Sequence, residues 1–153
     1  MIYGFFSIFV NIYYFLSEKL RTKSEKISIE QQVKDVEHDL DTVKQEIDAG
    51  NYRDAISRLN NLESNLLLTP EGKKRMRSLL AQCYFQQKDY PDAYYNLKLL
   101  ARKSQLTIND YLRKIQCEFQ LNLPQQRHQT LEEALGNFPG HPELKALIIE
   151  EDR

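Results

Sequence analysis

The chain has 153 residues, 28% of them charged, and a formal net charge of −1; this is enough for one domain with a core, and the charge balance supports neither a nucleic-acid groove nor an acidic solvating tail. Five glycines and five prolines in a chain dominated by Leu, Gln, Lys, Glu and Ala favour helices over strands and turns, so the expected class is all-α. Cys83 and Cys117 lack any metal or redox spacing, and His38, His128 and His141 fit no zinc-protease, phosphate-loop or nucleophile motif, so no enzyme activity, metal or cofactor is expected.

Residues 1–17 open MIYGFFSIFVNIYYFL, with seven aromatic side chains between Tyr3 and Phe15 and no charge before Glu18. As a helix, residues 2–16 would span about 22 Å, slightly short of the hydrocarbon core of a bilayer. A cleavable signal carries basic residues before its apolar run. Here Lys19, Arg21, Lys23 and Lys26 come after the run, so an uncleaved transmembrane anchor is preferred over an interfacial segment, a signal peptide or a buried docking helix. The same asymmetry predicts a single-pass membrane protein whose C-terminal domain faces the cytoplasm. Residues 18–28, polar and without an apolar stripe, read as a basic juxtamembrane linker.

Ile29, Val33, Val36, Leu40, Val43 and Ile47 recur at spacings that mark a coiled-coil seam and predict a first helix over 29–48, with Ser28 and Gln31 capping its start. Two readings of this seam are open. It packs as the first helix of the domain that continues through residue 150, or it pairs with its own copy in a homodimer, with Asp39 and Lys44 facing across the pair.

Residues 82–86 read QCYFQ and residues 116–120 read QCEFQ. Their offset of 34 is one of the few periods that define a repeat fold. The surrounding RSLLAQCYFQQKDYPDAYYNLKLL resembles the tetratricopeptide repeat (TPR) family, through Leu80, Ala81 and Tyr84 in a first helix and Asp89, Tyr90 and Ala93 in the turn and second helix. Leu97 and Leu100 stand for the family's large residue and alanine. Upstream, Gly50, Asn51, Tyr52 and Ala55, then Leu59 and Leu62, repeat the turn and second helix, but Tyr52 precedes Tyr90 by 38 residues. The four extra residues are expected in the helix or loop preceding Thr69 and Pro70.

Downstream, Tyr111, Leu131, Ala134 and Pro139 keep the spacing, while Lys114, Ile115, Glu118, Pro124 and Arg127 depart from it. A register shifted by one residue therefore also fits the third repeat. The final PGHPELKALIIEE fits a capping helix. The resemblance implies a helical-hairpin solenoid of about three repeats. It makes Cys83 and Cys117 small buried residues, too far apart on stacked helices to bridge.

The resemblance also implies a concave face, lined by the first helices, that holds a peptide or helix of another protein. Arg75, Ser78, Gln82 and Phe85 would face it from one repeat, and Asn109, Leu112, Arg113, Gln116 and Phe119 from the next. Gln82 and Gln116 suit an extended backbone; Phe85 and Phe119 are either apolar anchors or filler between repeats. The lysine, asparagine and arginine clamp of family members that hold acidic tails is expected to be absent, since only Arg113 and Lys44 match it. The cluster Lys73, Lys74, Arg75 and Arg77 opposes the helix dipole and reads as a solvated face, or as a site for an acidic segment or an anionic membrane. The expected function is a membrane-tethered adaptor or scaffold, laid out like anchored repeat proteins of the bacterial inner or mitochondrial outer membrane. A structural homodimer built on the anchor and the heptad helix is the alternative.

Overall fold

The computed structural model describes the backbone of residues 2–151 and the side chains of residues 18–147. Among the described residues seven helices succeed one another: α1 (Ile2–Asp48), α2 (Tyr52–Glu63), α3 (Pro70–Gln86), α4 (Tyr90–Ala101), α5 (Ile108–Gln120), α6 (Pro124–Asn137) and α7 (Pro142–Glu151). They pack as hairpins, α1 with α2, α3 with α4 and α5 with α6, and each hairpin touches the next. First helices also meet one another, α1 with α3 and α3 with α5, while α7 packs on α6. Contacts confined to neighbouring units define a solenoid.

The turns inside the hairpins set the register. Gly50, Lys88 and Asn122 all have positive φ, at 84°, 61° and 55°. After each of them the next amide reaches back to the first helix, from Asn51 to Glu46, Asp89 to Tyr84 and Leu123 to Glu118, each at 2.9 Å. This is the bond that closes a helix through a left-handed residue. Only the first turn uses the glycine for which that conformation is free; Lys88 and Asn122 hold it at a cost of about 1 kcal/mol each. The turn residues are 38 and then 34 positions apart, so the third repeat keeps the 34-residue register and the repeated word is structural.

The four extra residues of the second repeat do not lie where the sequence suggested. Helices α2 and α4 both have 12 residues, and the connections 64–69 and 102–107 are equal in length. Helix α3 has 17 residues against 13 in α5. The excess is thus one added helical turn, which leaves the angular register of α3 nearly unchanged.

Helix α1 corrects one expectation and decides between the two readings of the seam. The linker over 18–28 is helical and continuous with the heptad segment. No glycine or proline interrupts residues 18–48, and neighbours one turn apart support the helix, as in Arg21 with Glu25 at 3.0 Å and Gln31 donating to Asp35 at 2.9 Å,. Ser28 caps nothing; its hydroxyl accepts from Gln32 at 3.3 Å. The seam, in turn, is consumed within the chain: Val36, Leu40, Val43 and Ile47 are buried in one cluster with Ala55, Leu59, Leu80 and Cys83. Ile29 stays exposed and Val33 half-buried, two residues that make no dimer seam by themselves. Lys44 pairs with Asp48 of its own helix at 3.6 Å.

The anchor expected over 1–17 lies outside the residues whose side chains are described. Among the described residues no helix is long and apolar enough to cross a membrane.

Helices α1 and α3 approach closely where Thr69, the N-cap of α3, donates to Glu37 at 2.9 Å and accepts from the Gly72 amide at 2.9 Å. A Cβ on Gly72 would come within 2.8 Å of the Glu37 carboxylate and 2.9 Å of Leu68. Absence of a side chain here is what lets the first two repeats meet. Further along, Ala81, Ala93, Leu97 and Cys117 form the contact that joins the second repeat to the third. Leu100, Leu106, Tyr111, Ile115, Leu131, Ala134 and Leu144 then close the C-terminal core.

The two cysteines are free and buried, in different core clusters. Burial pushes the Cys83 thiol up from 9.0 to about 12, and burial together with the neighbouring Glu118 charge does the same for Cys117. Neither thiol is therefore expected to react with a disulfide reagent at about pH 8 in the folded chain, and both react in denaturant; fast native labelling of either would contradict their burial. Because the folded state holds these protons more tightly than the unfolded chain, the two thiols favour folding below about pH 9, and their contribution is lost between 9.0 and about 12,.

Candidate functional site

The first helices α1, α3 and α5 line one face of the solenoid. From α3 come Arg75, Ser78 and Gln82, and from α5 Asn109 and Arg113, around a cavity of about 570 Å³ whose far wall is Glu37 and Lys44 of α1. A second cavity of about 590 Å³ continues it towards α7, lined by Phe85, Asn109, Leu112, Arg113, Gln116 and Leu147. Eight of the nine residues expected on the concave face thus line one continuous groove. The spacing explains it: on α5, Asn109, Leu112, Arg113 and Gln116 recur at i, i+3, i+4 and i+7, a single helical stripe.

Phe119 is the ninth, and it lines neither cavity. Its ring is 58% exposed and lies under the Arg127 guanidinium, 5.4 Å from the ring centre. Its equivalent, Phe85, packs edge-on against Tyr90 at 5.9 Å and faces α5. The same word meets different surroundings because a further hairpin stacks beyond α3 and α4, whereas α7 alone stacks beyond α6.

The groove is nearly compensated in charge. Arg75 binds Asp41 and holds that carboxyl below its ordinary value, first by the hydrogen bond and then by its charge. Lys74 pairs with Glu71 at 3.0 Å and Arg113 with Asp110 at 3.2 Å. Asp110, buried in the floor, also accepts from Ser78 at 2.8 Å and from Thr107 at 2.7 Å. This joins α3 to α5 and commits the Ser78 hydroxyl to the fold. Gln82, Asn109 and Gln116, by contrast, spend no side-chain bond among the described residues. They present free amide donors and acceptors along a groove whose walls include Phe85, Leu112 and Leu147. Among the described residues no cluster of His, Cys, Asp or Glu is placed to hold a metal ion.

A polar feature behind the groove escaped the sequence reading. Glu118 occupies the position of Tyr84 one repeat later, and it is fully buried. Lys114 reaches it at 2.6 Å and Thr130 donates to it at 3.0 Å, while Lys114 also binds Thr130. The first repeat has a related but more exposed pair: Glu46, equivalent to Glu118, meets Arg58, equivalent to Thr130, at 3.4 Å. The available signal was the i, i+4 spacing of Lys114 and Glu118.

The basic cluster does not act as a unit. Arg75 turns into the groove, whereas Lys73, Lys74 and Arg77 line a separate cleft with Lys103 at the other side of α3; Lys74 borders both.

These hairpins, their left-handed turns and the concave face define a tetratricopeptide-like all-α solenoid. Among solved structures the chain is similar to the C-terminal TPR-containing domain of an FK506-binding protein from Plasmodium falciparum, with a TM-score of 0.65 and 15% identity, covering 77% of this chain and 86% of that one. No known family profile matches the chain, and no curated protein matches it.

Proposed function

We propose that this chain is an adaptor that holds a segment of another protein in its concave groove and is tethered to a membrane by residues 1–17, with the repeats on the cytoplasmic side. Binding rather than catalysis is its task. The observation that carries the reading is the row of uncommitted amides, Gln82, Asn109 and Gln116, beside the apolar wall of Phe85, Leu112 and Leu147. Amides of this kind satisfy an extended backbone whatever its sequence, and the apolar wall selects side chains. The ion pairs of Arg75 and Arg113 leave little net charge to attract a purely acidic tail. The tether is supported by the uncharged run over 1–17 and the cations that come after it,.

The test is a photo-crosslinker placed at Gln82 or Gln116 of the full chain in its native membrane, with the exposed Tyr95 of α4 as the control position. A discrete adduct is expected from the groove positions alone. Alanine at both Gln82 and Gln116 is expected to weaken capture roughly tenfold or more, at about 1 kcal/mol per lost bond, with unchanged helicity. Equal crosslinking from Tyr95 sinks the groove assignment.

A further inference from the structure

The cleft behind α3 has an apolar floor of Pro70, Met76 and Leu99 and a rim of Lys73, Lys74, Arg77 and Lys103. Two rim cations are neutralised, Lys74 by Glu71 and Arg77 by Glu63. Lys73 and Lys103, with Arg102 beside the latter, have no carboxylate partner among the described residues and are exposed. Lys73 sits in the first turn of α3, where the positive end of the helix disfavours it, so its presence does not serve helix stability. The segment joining Glu63 to Pro70, both lining this cleft, carries Leu66, which is 97% exposed. Leu66 and these three cations together give this end of the domain a mixed apolar and positive surface.

The direction of α1 says what this surface faces. Glu37 is level with Thr69, the start of α3, so residues 18–36 of α1 run past the end of the body that holds the 64–69 and 102–107 connections. The chain's N-terminal apolar run is thus reached from the same end that carries Leu66, Lys73, Arg102 and Lys103. We propose that this end of the domain docks on an anionic lipid surface, with Leu66 entering the interface and the three cations meeting lipid phosphates and carboxylates.

Charge complementarity and the exposed apolar side chain at a protruding connection both fit a headgroup layer, where each nearby cation adds to binding and a leucine gains by leaving water. Residues 18–36 make about 28 Å of helix, so an upright α1 holds the body clear of the surface and only a steeply inclined one brings the patch down. Lys19, Arg21, Lys23 and Lys26 lie along the descending segment and are drawn to the same charge. Docking would place the concave groove at a set orientation to the membrane. The proposal relies on the tether only for local concentration.

The experiment uses the full chain with Ser64→Cys carrying an environment-sensitive dye, since Cys83 and Cys117 are buried and Ser64 is exposed beside Leu66. The chain is reconstituted in phosphatidylcholine vesicles with and without phosphatidylserine. Dye emission is expected to shift to the blue and brighten only with phosphatidylserine. The change should be lost in Leu66→Asp, and the docked fraction should fall by about a hundredfold in odds when Lys73, Arg102 and Lys103 are all changed to glutamate. Circular dichroism checks that these exposed substitutions leave the helices intact.

Indifference of the dye to phosphatidylserine in the parent chain overturns the proposal and would assign the cleft to an acidic protein segment instead. A response that survives the three charge reversals overturns it too. Flotation with phosphatidylcholine vesicles tests the tether separately: a chain that floats without a dye response keeps the tether and loses the docking. One that binds only phosphatidylserine vesicles does the reverse.

Discussion

Changing Lys114 to methionine is expected to cost about 3 kcal/mol of stability, among the largest effects of any single substitution in this chain. Glu118 is fully buried, and its carboxylate relies on the Lys114 ammonium at 2.6 Å and the Thr130 hydroxyl at 3.0 Å; its second oxygen has no hydrogen-bond partner among the described residues. Removing the cation strands a buried negative charge, and the cost is the desolvation no longer offset by attraction. Pairing Lys114→Met with Glu118→Leu should recover most of the loss, because two apolar groups of similar size need no partners. Urea denaturation of the single and double variants gives the coupling directly. A single variant within about 0.5 kcal/mol of the parent would mean that the buried carboxylate does not depend on the cation.

The second large effect is expected at Leu40. It is fully buried between α1 and the neighbouring hairpin, so Leu40→Ala should cost about 3 kcal/mol through lost transfer energy and the cavity left behind. The same substitution separates the two readings of the heptad. If Leu40 packs within the chain, the stability loss is independent of protein concentration. If it closed a dimer seam, the unfolding midpoint of the parent would rise with concentration and the variant would sediment as a monomer where the parent does not. Detergent-solubilised full chain serves for both measurements.

Much of the fold was legible in the residues. The first two turns were marked by Gly50-Asn51 and by Asp89-Tyr90, whereas Pro124 read as a departure from the pattern; the structure adds the shared hydrogen bond that makes all three turns equivalent. The small contacts Ala81 and Ala93 and the filler Leu97 are buried as their pattern required, while Tyr84 and Tyr90 pack against the same cluster only partly buried. The added turn of α3 was misassigned to its neighbourhood because an insertion of nearly one helical period preserves the apolar stripe and so leaves no mark on it. The break expected at residue 28 failed for a related reason. Polar helix and polar linker differ only in weak propensities, and the Arg21–Glu25 type of pairing settled the matter locally,.

The groove was legible as a stripe but not as chemistry. Helical spacing was sufficient to bring Arg75, Gln82, Asn109 and Gln116 to one face. It could not say that Arg75 would be taken by Asp41, or that Ser78 would be spent on Asp110, since both partners lie more than 30 positions away. Nor could it separate Phe85 from Phe119, nearly identical in their local words and different in the helices stacked against them.

Residues a few positions apart were thus enough for the helical class, the first two hairpin turns and the small-residue contacts, because caps, turns and apolar stripes are local; they left the register of the third repeat open. Stacking of the hairpins settled which surface covers each stripe, and with it the register of the third repeat. It turned the α1 seam inward, buried Glu118 with Lys114, left Phe119 outside the groove and kept Gln82, Asn109 and Gln116 free. These outcomes depend on which distant side chains compete for the same space and the same charge, a competition that exists only once the hairpins have stacked.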